Sequence, residues 1–132
     1  MGAKRGAGAF VEIGVNRQLP SSRWYIEGDM KLATDYRGVS IRITYERLAH
    51  IIEHPELSDM EPAIMETLNN PEEVRRSQSD DKAFLYYRFL RATPAGDKYL
   101  CAVVKEGGVD AFLLTAYLTD KIKKSEMVWK KK

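Results

Sequence analysis

The spacing of apolar residues changes once along this chain, at Pro71, and that change limits the folds open to it. Before Pro71, Tyr45, Leu48, Ile51 and Ile52, then Met60, Ala63, Ile64, Thr67 and Leu68, recur at about 100° per residue and predict two short helices. After it, four runs alternate apolar and polar as strands do: EEVRRSQ, AFLYYRFL, KYLCAVVK and DAFLLTAY. The connections SDDK, RATPAGD and EGGV are rich in turn formers, so the runs read as an antiparallel meander. A helix buries a stripe and a strand buries one side, so each needs the other as cover. The expectation is an α+β fold: an N-terminal extended segment and two helices packed on one face of a four-stranded antiparallel meander.

The helix ends are marked as well. The Thr44 hydroxyl suits the first helix as its N-cap, and Pro55 disfavours helical geometry at His54, where that helix should stop. Ser58-Asp59 reads as the cap of the second helix, and Asn69-Asn70-Pro71 as its end. Thr119 to Lys124 reads as a last short helix. Upstream, AFVEIGV is a candidate strand, and RWYIEGDMKLATDYRGVSIRIT reads as short extended pieces in which Val39, Ile41 and Ile43 alternate. The expected organisation is therefore residues 1–37 as an extension or extra strands, and residues 38–132 as the main domain.

With 132 residues and 44% hydrophobic content, the chain suits one globular domain. No apolar run is long enough to cross a bilayer, and MGAKRGAGAF lacks the apolar stretch of a secretory signal. No membrane partner is expected. The expected location is the cytoplasm, its own or that of a target cell into which a larger system delivers the chain. Cys101 is the single cysteine, so an internal disulfide is excluded and a small buried apolar role is expected. The net charge of +2 conceals an acidic middle, Glu46 to Glu73, and a basic tail from Lys121 to Lys132. A tail of this kind is usually solvated, although it could contact phosphate.

Alternation divides the strand residues into two sets. Leu85, Tyr87 and Phe89, with Leu100, Ala102 and Val104, and Phe112, Leu114 and Ala116, suit the side beneath the helices. Their alternates are Phe84, Tyr86 and Arg88; Tyr99, Cys101, Val103 and Lys105; Leu113, Thr115 and Tyr117. In aligned register this second set would place Arg88, Lys105, Thr115 and two tyrosines on one open face, and a slip of one residue would invert any strand.

The heptad HIIEHPE, from His50 to Glu56, begins with the H-x-x-E-H spacing of inverted zinc peptidases. Such a site needs both histidines on one continuous helix and a third protein ligand, but Pro55 cuts the helix short and no further histidine follows. A zinc hydrolase built on His50 and His54 is thus the weakest reading. His50 suits a solvated helix face. His54, at a helix exit, suits either a capping role or acid/base chemistry near neutral pH.

From Ile43 to Tyr117 the chain resembles the phage-associated branch of the BECR nucleases, a superfamily that takes its name from barnase, EndoU, colicin nucleases and RelE. The matching pieces are HIIEHPEL, LNNPEEV, FLYYRFL, YLCAVVK and LLTAYLTDKIK, in that order, and they cover somewhat more than half of the chain. The resemblance implies helices followed by a four-stranded meander, and the activity of a metal-independent endoribonuclease that needs no cofactor, in a toxin or phage-derived effector.

It also implies roles for particular residues. His54 would be the acid/base imidazole, Arg88 and Lys105 would offset charge on the scissile phosphate, and Thr115 and Tyr117 would bind phosphate or place the ribose. Tyr86 would stack on a base or assist proton transfer, and Arg76 and Lys121 would hold the strand. No metal is implied. The implied partners are RNA, either tRNA or ribosome-bound mRNA, and an immunity protein or antitoxin. Two histidines and a lysine mark the EndoU pattern, whereas this chain offers one well-placed histidine, so a non-catalytic RNA- or protein-binding module stands as the alternative.

Overall fold

The computed structural model describes residues 24–27 and 30–132, the first group by backbone alone. The candidate strand AFVEIGV lies outside the described residues. Among the described residues eight strands are formed: β1 (Trp24–Glu27), β2 (Met30–Thr34), β3 (Ser40–Thr44), β4 (Glu73–Arg76), β5 (Ala83–Thr93), β6 (Gly96–Gly107), β7 (Asp110–Thr119) and β8 (Met127–Lys130). Between β3 and β4 come α1 (Tyr45–Ile51), a 3-10 turn at Pro55–Leu57, and α2 (Glu61–Asn69).

All eight strands join one sheet in the order β1-β2-β3-β7-β6-β5-β4-β8. Strands β4 to β7 pair antiparallel with their chain neighbours. The β1-β2-β3 module attaches to β7 through a parallel pairing, Arg42 opposite Phe112, and β8 pairs antiparallel with the outer edge of β4. The expected fold, a four-stranded antiparallel meander under two helices, is therefore corrected to an eight-stranded mixed sheet. Two features hid the added strands. The β3–β7 pairing joins residues some seventy positions apart, and β8 lies in the lysine-rich end that reads as a solvated tail. Residues 24–27 and 30–34 are strands of this same sheet.

Local signals act where the sequence places them, with shifts of a few residues. Thr44 caps α1, its Oγ1 accepting the Arg47 amide at 3.1 Å. The helix closes at Ile51, short of His54, because Ile52 already has non-helical ψ and His54 is extended, opening the 3-10 turn that Pro55 begins. Ser58-Asp59 does not cap α2. Those residues complete the 3-10 turn, with the Met60 amide bonded to the Leu57 carbonyl, and α2 starts after Met60 with a proline in its first turn. The expected helix over Thr119 to Lys124 is also corrected: after β7 the chain runs without helix to β8.

Both helices pack on the same face of the sheet. Leu48, Ile51, Leu57, Ile64 and Leu68 interlock there with Ile41, Ile43, Leu100, Ala102, Val104 and Leu113, all buried. Each fully buried branched side chain contributes roughly 1.5–3 kcal/mol, so this cluster dominates the stability of the fold. The sheet curls around α2, which touches β2 on one side and β5 and β6 on the other.

Candidate functional site

On the helix-covered face the curl is closed by a polar clasp. The turn after β2 places the carboxylate of Asp35, which is 2% exposed, where it accepts five hydrogen bonds. The donors are the amides of Arg37 and Val39, two nitrogens of the Arg37 guanidinium, and the Tyr86 hydroxyl at 2.8 Å. Arg37 continues to Glu106 at 2.6 Å, and Tyr36 stacks on Trp129 of β8 with ring centroids 4.4 Å apart. Gly38, at φ 87°, permits the turn. Burial, then the Asp35 charge, drives the Tyr86 phenol far above its ordinary range. Tyr86 is thus a structural hydrogen-bond donor, tied to β2 and unavailable for stacking on a base.

Among the described residues the opposite face carries no helix. Its residues form rows across the strands: Ala83, Lys105, Phe112 and Arg42; Leu85, Val103 and Thr115; Tyr87, Cys101 and Tyr117; Phe89, Tyr99 and Thr119. From the end of β7, residues 120–126 cross this face as a strap to reach β8, because β7 and β8 lie on either side of β6, β5 and β4. Ile122 packs on the third row, the Lys123 amide donates to the Tyr87 hydroxyl at 3.2 Å, and Arg75 donates to the Ser125 carbonyl at 2.7 Å. In the first two rows Ala83 and Leu85 are buried, whereas Lys105, Phe112, Arg42 and Thr115 are left uncovered in part or in full, and Lys121, Lys123 and Lys124 of the strap are exposed.

Under the strap, Tyr87, Cys101 and Tyr117 are cross-strand neighbours packed in one cluster. Burial raises all three, the Cys101 thiol to about 11 and the Tyr87 phenol to about 12, with the neighbouring Cys101 charge as the next cause for Tyr87. An unfolded tyrosine titrates near 10. Up to that pH both states keep the Tyr87 proton, and above it the unfolded chain loses the proton first, so stability falls as pH rises from about 10 through about 12. Denaturant midpoints measured from pH 8 to 12 should therefore fall above pH about 10, and the Tyr87→Phe variant should show a shallower fall.

In the uncovered rows the charges are organised by ion pairs. Lys105 Nζ lies 2.5 Å from the Asp80 carboxylate. Asp80 also accepts the Lys82 amide, and these two contacts, Lys105 first, hold its carboxyl below the usual range and keep it ionised. Arg42 grips Asp110 through two nitrogens, and its guanidinium lies over the Phe112 ring, 5.4 Å from the centroid. Thr115 is exposed between these groups and the strap.

The predicted site residues divide between the two faces. Lys105, Thr115 and Tyr117 share the open face, with Lys121 on the strap that crosses it. Tyr86 and Arg88 face the helices, where Arg88 donates to the Asn70 carbonyl at the end of α2 at 2.8 Å. Arg76 lies over the Phe84 ring and pairs with Glu126. His54 is exposed at the start of the 3-10 turn, whose Leu57 enters the helix-side core. The expected single set of His54, Arg88, Lys105 and Thr115 is therefore corrected to a smaller one.

Two causes account for the division. The sets assigned to β5 are inverted, since Tyr86 follows Asp35 to the inner face while Leu85 and Tyr87 face the strap. In β7 a bulge at Leu114 shifts register between Leu113, opposite Val104, and Thr115, opposite Val103, so Phe112 and Leu113 exchange the faces expected of them.

His50 and His54 do not form the zinc arrangement. His50 is the last residue but one of α1, His54 lies in extended backbone beyond it, and Glu53, 3.7 Å from His50, is solvated with it. A depression of about 530 Å³ along the outer side of α1 is lined by Thr44, Glu46, Arg47, Ala49, His50 and Glu53, and His54 is not among the described residues around it. Among the described residues no three His, Cys, Asp or Glu side chains gather closely enough to hold a metal ion, and no helix is long and apolar enough to cross a membrane.

No protein-family model, curated protein or solved structure matches this chain. The site is defined by its own geometry. Three residues of the open face were not singled out by sequence reasoning: Asp80, which reads as one of two turn aspartates in SDDK, and Arg42 and Phe112, which meet only through the parallel pairing of β3 with β7. Only that pairing, which no local pattern encodes, would have identified the last two.

Proposed function

We propose that the protein is an endoribonuclease that works without a metal ion, with its site on the uncovered rows of the open face. The observation that carries this reading is the placement of Lys105 and Thr115 on neighbouring strands of one exposed face, with the ionised Asp80 carboxylate against Lys105. The resemblance to BECR nucleases supports it from the sequence side.

In this reading Asp80 accepts the proton of a ribose 2′-hydroxyl, and the freed oxygen attacks the adjacent phosphorus. The bond to the 5′ oxygen breaks, that oxygen leaves with a proton from solvent, and one product ends in a cyclic phosphate. Lys105 faces the phosphate as its charge grows, Thr115 hydrogen-bonds a non-bridging oxygen, and strap lysines hold the flanking strand. Tyr117 lies in the adjoining row, packed with Tyr87 and Cys101 beneath the strap. A toxin or effector role, a tRNA or ribosome-bound mRNA target and an inhibitor protein belong to the same proposal.

The test is incubation of the purified protein with short synthetic RNAs, with and without EDTA. The expected result is cleavage unaffected by the chelator, with 2′,3′-cyclic phosphate ends. Intact RNA after prolonged incubation at high protein concentration overturns it. A second reading, RNA binding without cleavage, is favoured by one observation: neither histidine reaches the open face. Under that reading, RNA is retained on a filter and remains uncut.

A further inference from the structure

Resting on the proposed RNA-acting site, we infer that Arg42 and Phe112 form a stacking platform for one unpaired base, which makes single-stranded RNA the substrate and excludes the duplex. Phe112 stands directly opposite Lys105 across β6 and β7, and opposite Arg42 across β3 and β7. Cross-strand neighbours have Cβ atoms about 4.5–5.5 Å apart, a separation that allows one nucleotide to place its base on the platform and its phosphate at Lys105.

The platform is built in advance of binding. Asp110 holds the Arg42 guanidinium by two hydrogen bonds, 2.9 and 2.5 Å long, with the guanidinium over the Phe112 ring, and the Arg42 side chain is still 36% exposed. A guanidinium already oriented by a carboxylate loses little freedom when a base lies on it. Ala83, the partner of Lys105 on β5, is buried and Asp80 occupies that flank of the lysine, so a nucleotide meets Lys105 from the Phe112 side. Bases stack readily on aromatic rings and on arginine planes, but only when they are unpaired and can be splayed outward. A base inside a helix presents its edge, not its face, and cannot occupy this position.

The inference is tested by binding of a short single-stranded RNA, the same strand with one abasic nucleotide placed in turn along it, and the matching duplex, to the full chain and to its Phe112→Ala and Arg42→Ala variants. The expected results are weaker duplex binding by the wild type and an abasic position that weakens binding by about tenfold or more. Either variant should weaken binding of the intact strand by a similar factor while leaving the weakest abasic strand unaffected. Phe112→Leu, which keeps the apolar volume, should bind as weakly as Phe112→Ala, so that a loss seen with alanine alone marks a packing effect and overturns the inference. Equal binding of strand and duplex also overturns it. If both variants bind as the wild type does while Lys105→Ala does not, the platform is wrong and the site stands. If the wild type neither binds nor cuts RNA, both fall together.

Discussion

Substituting Lys105 by alanine is expected to reduce RNA cleavage by roughly 100- to 1,000-fold, the range seen when one donor facing developing charge is removed. The fold should survive. Lys105 is 36% exposed and its partner Asp80 33%, and an ion pair screened by solvent at that exposure adds little to stability. The contrasting substitution is His54→Ala, which should leave the rate within about twofold, because His54 lies beyond α1 on the helix side. Single-turnover rates on one short RNA, with circular dichroism of each variant, check both. If His54→Ala abolishes cleavage and Lys105→Ala does not, the site belongs to the helix side and the proposed function loses its geometry.

The second large effect concerns the clasp. Asp35→Ala removes a buried acceptor of five hydrogen bonds and strands the Tyr86 hydroxyl, which is buried, together with the amides of the β2–β3 turn. Buried donors left without partners, one of them beside an arginine that has lost one of its two carboxylates, cost roughly 2–4 kcal/mol, a fall in Tm of roughly 10 °C for a domain of this size. Tyr86→Phe removes a single donor and should cost about 1 kcal/mol. Thermal unfolding of the two variants tests the ordering. An Asp35→Ala protein as stable as the wild type would mean that the turn does not hold the curl.

How much of this was legible in the sequence depends on the range over which each signal acts. Thr44, Pro55 and the run Asn69-Asn70-Pro71 act on their neighbours, and the helices they bound are present, displaced by a few residues. The strands β4 to β7 were visible because their turns lie between them. The sides to which their residues turn were not. Both faces of this sheet are partly buried, one by helices and one by the strap, so Leu85 and Tyr86 are equally plausible inner residues by hydrophobicity. What decides between them is a hydrogen bond from Tyr86 to Asp35, fifty-one positions away in the chain. The bulge at Leu114 adds one residue to β7 and reverses the sense of alternation midway, which a strict period of two does not anticipate. The candidate site was legible to the same extent. Lys105, Thr115 and Tyr117 lie on one face because β6 and the later part of β7 keep the expected register, whereas Arg88 and Tyr86 followed β5 to the other side.

The final strand also limits how copies of the protein meet. Among the described residues β8 has no outer neighbour, so its backbone donors and acceptors form an edge to which a second chain could add, and Met127, 47% exposed, would favour the contact. Lys130, Lys131 and Lys132 lie at its end and are exposed. Two such edges brought together would juxtapose like charges, and this repulsion opposes lateral growth of the sheet into aggregates.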